Sequence, residues 1–145
     1  MLSKTCEYAI KATLYLAQKA HQSERANVKT IAKAIDSPDA FTAKVLQQLV
    51  KHGIVTSVKG TNGGFFIEPQ TLPNLTLLQI VVAIEGDGLV KDCVLGLKNC
   101  SNVNPCPMHD KYAPIRDNIL NMLQSLLVND LATQLEQNMI FLKSK

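Results

Sequence analysis

Two short runs rich in β-branched and aromatic residues, IVTSV (54–58) and FFI (65–67), are separated only by KGTNGG. Asn62, Gly63 and Gly64 tolerate the positive φ values of a tight turn, so this stretch specifies an antiparallel hairpin. The other apolar segments repeat at three- and four-residue steps, the period of amphipathic helices. The chain must therefore fold as a mainly α protein with one small β-hairpin, and what precedes the hairpin decides what it is for.

Residues 2–20 predict a helix, with Leu2, Cys6, Ile10, Thr13, Leu14 and Ala17 on its apolar face. HQSERAN breaks it. Asn27 can cap a short helix over VKTIAKAI, with Val28, Ile31, Ala32 and Ile35 on one side. In DSPDAFTAKVLQQLVKHG, Ser37 suits an N-cap, Pro38 the first helical position and Gly53 the position past the end. Two helices joined tightly at Asp36 and Ser37 have helix-turn-helix spacing. Val45, Leu46, Leu49 and Val50 supply the second helix's core face. Its remaining positions, Phe41, Thr42, Lys44, Gln47, Gln48 and Lys51, include cations, amides and a hydroxyl suited to phosphates and base edges. A hairpin directly after such a pair is a wing, with Lys59, Thr61 and Asn62 at its tip.

Charge supports a polyanion partner. Residues 1–60 carry nine Lys/Arg against four acids, a net of +5, whereas residues 61–145 carry six against eight, a net of −2. A basic half facing double-stranded DNA is the expected reading. No apolar run approaches the length of a membrane span, and the N-terminus lacks the pattern of a signal peptide. A cytoplasmic protein with no membrane partner is expected.

After a linker, EPQTLPNL, Thr76 and Gln79 form a capping-box pattern for the apolar helix TLLQIVVAIEG. The division falls into residues 1–72, a winged helix-turn-helix domain, and residues 73–145, a sensor loop (87–110) with dimerisation helices. Pro114 is expected to open a long helix carrying Ile115, Ile119, Met122, Leu123, Leu126 and Leu127. That stripe is best buried against a second copy of the chain. Asn129-Asp130 reads as a break, with Asp130 capping a last helix, LATQLEQNMIFL.

The loop CVLGLKNCSNVNPCPMH holds three of the four cysteines and one of the three histidines, spaced C-x6-C-x5-C-x2-H. In a reducing compartment such a cluster points to metal binding or redox chemistry rather than a disulfide framework. Thiolates are the soft ligands that zinc and iron–sulfur clusters select, and three thiols with an imidazole suffice for a four-ligand site. The spacing leaves cluster, zinc and thiol switch open. Cys6 reads as a buried structural thiol, Glu7 as a solvated helix residue and His52 as a helix C-terminal cation.

The segments LSKTCEYAIKATLYLA, VKTIAKAID and FTAKVLQQLVKHGIVTSVKGTNGGF, followed by the cysteine loop and the long helix, resemble the Rrf-type winged-helix transcriptional regulators. The resemblance implies a homodimer binding a palindromic operator, with its dimer contact on the long helix. It also implies an iron–sulfur cluster held by Cys93, Cys100 and Cys106, with His109 as fourth ligand, as in the IscR-like members. In the NsrR-like members the fourth ligand is an acid, matched here by Glu7 of the partner subunit. A 2Fe–2S centre is favoured over 4Fe–4S. The expected signal is redox state, nitric oxide or iron–sulfur status. The first spacing is six residues where the IscR-like loop has five, and the recognition helix carries Phe41, Ala43 and Lys44 in place of a more polar set. The expected DNA-binding residues are Ser37, Phe41, Thr42, Lys44, Gln47, Gln48, Lys59 and Asn62.

The alternatives are a cluster-free regulator using a thiol switch, zinc or a partner, and an iron–sulfur electron-transfer protein. The latter has no use for a helix-turn-helix or a wing. No nucleotide loop, Ser-His-Asp set or paired carboxylates point to an enzyme.

Overall fold

The Ser3 side chain accepts the Cys6 amide at 3.1 Å and starts the first helix, α1 (Lys4–His21). A computed structural model describes residues 1–143 of the protein. The Asn27 side chain caps α2 (Val28–Ile35), accepting the Thr30 amide at 2.9 Å. The chain then turns through Asp36, at φ +55°, and α3 runs Asp39–Lys51. The hairpin is β1 (Thr56–Val58) against β2 (Gly64–Phe66), with Ser57 opposite Phe65. A 3₁₀ turn (Leu72–Asn74) precedes α4 (Leu77–Glu85), which opens with the expected capping box of Thr76 and Gln79. A short α5 (Gly88–Lys91) leads into the cysteine loop, and α6 (His109–Ser125) and α7 (Val128–Glu136) follow. This is a mostly helical winged-helix chain, as the periodicities predict. No helix among the described residues is long and apolar enough to cross a membrane.

α1 is the centre of the packing. Cys6, Ala9, Ala12, Thr13, Leu16 and Ala17 are completely buried, and α2, α3, α4, α7 and β2 all lie against this helix. The periodicity predicts one apolar stripe; the helix is instead buried on several sides, and Ile10 is only half-buried. Small side chains at Ala9, Ala12 and Ala17 permit such close approach. The core runs without a break across residue 72, since Leu72, Leu75 and Ile80 share one cluster with Leu16, Ile31 and Leu46.

Several boundaries differ from expectation. Pro38, not Ser37, is the N-cap of α3, because Ser37 turns its hydroxyl to Thr42 Oγ1 at 2.7 Å. Thr42 is completely buried and donates its own hydroxyl to the Pro38 carbonyl at 2.8 Å, so it is a core residue and not an exposed one. Positive φ in the wing falls at Gly60 and Gly64 rather than at Asn62 and Gly63. At Gly64, φ is +137° and an added Cβ would stand 2.9 Å from the Ala26 carbonyl oxygen.

Pro114 lies inside α6, which begins five residues earlier at His109. The proline costs one hydrogen bond, to the carbonyl four residues before it, and the helix tolerates this near its start. α6 ends at Ser125, before Leu126 and Leu127, and α7 restarts at Val128 rather than after Asp130. The chain between them zips onto the start of α4: the Leu77 amide donates to Leu126 O at 3.0 Å and the Val128 amide to Leu75 O at 2.9 Å. α7 stops at Glu136, with Asn138 at φ +57°, so the expected last helix is shorter.

His21 ties the end of α1 to α7. Its Nε2 meets Asn129 Oδ1 at 2.6 Å and its Nδ1 meets Glu136 Oε1 at 2.7 Å, so both ring nitrogens face acceptors. The Asn129 bond first, and the Glu136 bond and charge next, hold its pKa above the ordinary 6.5 against partial burial. A raised folded pKa contributes stability that is complete below the unfolded pKa and is lost as pH rises through the folded one. In urea titrations, the native protein should therefore exceed His21→Gln in stability below about pH 6.5, with the gap closing above it. A pH-independent gap would contradict this account.

Candidate metal centre and DNA-facing surface

The cysteine loop is anchored at both ends. α4 ends at Gly86 (φ +77°), and α5 is braced by Lys91 Nζ on Asp87 Oδ2 at 2.6 Å. Arg116, on α6, donates through Nη1 to the Lys91 and Asp92 carbonyls, each at 3.2 Å. Cys93 follows immediately. The chain then turns at Gly96 (φ +72°), whose amide donates to Cys93 O at 2.9 Å. The Cys106 amide donates to Cys100 Sγ at 3.4 Å, and the His109 amide to Cys106 O at 3.1 Å as α6 begins.

These local bonds bring the three sulfurs within 4.8 Å of one another, and all three cysteines are half-buried. Cys93 Sγ and Cys106 Sγ are 3.5 Å apart. His109 is 8% exposed and sits at the edge of the triad, with Nδ1 3.2 Å from Cys100 Sγ and Nε2 2.8 Å from Asn102 Oδ1. Glu7 lies in the first turn of α1 and pairs with Lys4 Nζ at 3.0 Å. Asn102 and Arg116 escape a reading of the sequence. One sits in a run of Asn and Ser that looks like plain loop, and the other is ten residues past the last cysteine.

Amides tune the thiols. Bonds from the Leu97 amide first, and the Leu95 amide next, lower the Cys93 pKa to about 7. At Cys100 the Cys106 amide pulls downward, but partial desolvation and the neighbouring Cys106 and Cys93 sulfurs outweigh it and hold the thiol above its ordinary value. Burial, with Glu85 nearby, pushes Cys6 up to about 12.

Three thiols and an imidazole fit a soft centre. Thiolates on one tetrahedral ion at about 2.3 Å stand roughly 3.8 Å apart, which the compact triad matches. An iron–sulfur cluster takes the same donors with its thiolates spread over more than one iron, and the glycine- and asparagine-containing loop between Cys93 and Cys106 has no helix or strand to prevent it widening.

On the winged helix, Lys44, Gln47 and Gln48 are exposed on α3, and Lys59, Thr61 and Asn62 are exposed on the wing. Ser37 is half-buried. Phe41 packs edge-on against Tyr8, with ring centroids 5.4 Å apart. On α6, Ile115 and Met122 are 54% and 49% exposed, with half-buried Ile119 between them. Leu123 is 3% exposed and belongs to the chain's own core, and Leu126 and Leu127 are half-buried in the α4 junction. The expected stripe is thus divided between the chain's own core and solvent.

A family model described as "Rrf2: Iron-dependent Transcriptional regulator" matches residues 2–134. A protein of Aquifex aeolicus named as an HTH-type transcriptional regulator is 32% identical over 134 residues, covering 90% of each chain. The fold is similar to that of CymR, the global cysteine regulator of B. subtilis, with a TM-score of 0.74 at 24% identity over 92% of this chain and 96% of that one. It is also similar to IscR of T. potens, with a TM-score of 0.73 at 22% identity over 97% of this chain and 91% of that one.

The thiol order has a direct readout. In metal-free protein treated briefly with iodoacetamide at pH 7, Cys93 should be alkylated ahead of Cys100, and Cys6 last, because only the thiolate reacts. Mass spectrometry of the digest gives the order, and early modification of Cys6 would contradict it.

Proposed function

The chain belongs to the Rrf2 family of transcriptional regulators, and from that premise we propose that it is a homodimeric bacterial regulator whose operator binding is controlled by an iron–sulfur cluster. The carrying observation is the convergence of Cys93, Cys100 and Cys106 at the root of α6. The family description, iron-dependent, favours iron over zinc. His109 is the proposed fourth ligand, supported by its Nδ1 at 3.2 Å from Cys100 Sγ. Glu7 of the partner subunit is the competing one. A 2Fe–2S centre is favoured, since imidazole in place of thiolate is an established ligand pattern for it. When bound, the cluster supplies a site that oxidants or nitric oxide can attack.

The chain's own residues do the rest. Lys44, Gln47 and Gln48 share one exposed face of α3 and would enter the major groove, the lysine on phosphate and the amides on base edges. Lys59 and Asn62 reach the neighbouring backbone or minor groove. Ser37 can add a contact at the start of α3, whereas Phe41 and Thr42 serve in packing. Ile115, Ile119 and Met122 would form the dimer seam, setting the two recognition helices about one DNA turn apart. Arg116 links the two functions: it lies on α6 and grips the carbonyls beside Cys93, so a change in loop order reaches the dimer helix.

A second reading has its own observation. With Cys93 Sγ 3.5 Å from Cys106 Sγ, peroxide could oxidise the metal-free pair to a disulfide, two thiols and one peroxide giving the S–S bond and two waters. This would be a cluster-free thiol switch.

Anaerobic purification with a visible spectrum and iron and sulfide assays tests the cluster. Selection from a randomised duplex library supplies the operator. Cluster-loaded and stripped protein should differ in affinity for it. A colourless protein with stoichiometric zinc, or equal affinity in both states, would overturn the proposal. Lys59→Ala should weaken binding to every duplex and reduce the slope of log K against log salt by about 0.9. An effect confined to one operator position would instead mean base readout.

A further inference from the structure

The wing is joined to the α1–α2 connection by a pair of backbone hydrogen bonds. The Ala26 amide donates to Phe65 O at 3.1 Å and the Phe65 amide to Ala26 O at 2.8 Å, which adds one residue of the α1–α2 connection to the hairpin as a third strand. Beside this tie stands Arg25. Its Nη1 donates to the Asn62 carbonyl at 3.2 Å, in the turn itself, and its guanidinium lies 4.8 Å from the centre of the Phe66 ring. Below them is a cleft of about 470 Å³, lined in part by His21, Phe66, Pro69 and Asn129. The strands are three residues each, too short to hold a turn rigidly by their own ladder.

We infer that Arg25 is a positioning residue for the wing, holding the turn that carries Lys59 and Asn62, and that it does not itself contact DNA. The planar guanidinium suits this task, since it can stack on the ring and donate in its own plane at once. Stacking fixes the height of β2 over the body, and the bond to Asn62 O fixes the turn. Lys59 stands at the opposite end of the same turn, whose Gly63 amide closes on Gly60 O at 3.0 Å. The inference rests on the DNA-binding reading for its consequence, but not for its geometry.

Two measurements on the full chain separate these. Without DNA, Arg25→Ala should accelerate amide exchange at Ala26, Gly63 and Phe65 by about tenfold and leave Leu46 and Leu49 in α3 unchanged. Wing amides exchanging at the native rate would overturn the bracing itself, whatever the protein binds. With the duplex recovered by selection, Arg25→Ala should weaken binding several-fold. Added to Lys59→Ala, it should leave the salt slope where Lys59→Ala alone puts it; a further fall of about 0.9 would mean a phosphate contact of Arg25's own and overturn the inference. In the Lys59→Ala background, Arg25→Ala should cost much less than it does alone, because it acts through Lys59; full additivity would overturn it. Arg25→Lys keeps the charge but not the fork, so it should behave like Arg25→Ala, and complete rescue by lysine would equally overturn the proposal.

Discussion

The burial of α1 on several sides is the constraint on which the rest depends. Ala9, Ala12 and Ala17 leave no side chain long enough to hold neighbouring helices away, and Cys6 and Leu16 fill what remains. α2, α3, α4, α7 and β2 all pack on this helix. α3 also touches α4 directly, so the winged helix and the element leading into the cysteine loop share one close-packed core. His21 closes the same helix onto α7 through Asn129 and Glu136.

The cysteine loop shows how a segment with little regular structure is given a definite form. Its ends are held by α5 and α6, and Arg116 joins them. Within it, turns at Gly96 and around Ser101–Asn104 fold the chain back so that Cys93 and Cys106, thirteen positions apart, come within 3.5 Å. Amides directed at sulfur serve two ends: they order the backbone and they favour thiolate, the form that binds metal or reacts with oxidant. The proposed sensing and the alternative thiol switch use the same device, which is why a spectrum and a metal assay, rather than further geometry, separate them.

Much of this was legible in the sequence, for local reasons. Asn27 before VKTI and Thr76 three residues before Gln79 are caps whose partners lie within one helical turn. The hairpin was legible because its runs and glycines are adjacent. Misreadings arose where a distant or competing partner intervened. Ser37 is not a cap because Thr42 takes its hydroxyl. Pro114 does not open α6 because the helix has already begun at His109, with the Tyr112 amide donating to Met108 O. The apolar stripe 115–127 does not stay on one helix, because Leu126 and Val128 pair with the strand-like entry to α4. Arg25 and Arg116 carried no motif at all; their partners, the Asn62 carbonyl and the Phe66 ring for one and the Lys91 and Asp92 carbonyls for the other, are brought close only by folding.

The sequence by itself determined the helical segments, the hairpin after the helix-turn-helix, and the presence of three thiols and one imidazole in one short loop. These follow from spacing along the chain. Only the tertiary structure decided that the three sulfurs meet while His109 stays at their edge, that Thr42 is withdrawn from the exposed face of α3, and that Ile115 and Met122 remain outside when Leu123 turns in. Those outcomes depend on which elements pack together, and the free energy of burying one face against another is shared among residues far apart in sequence.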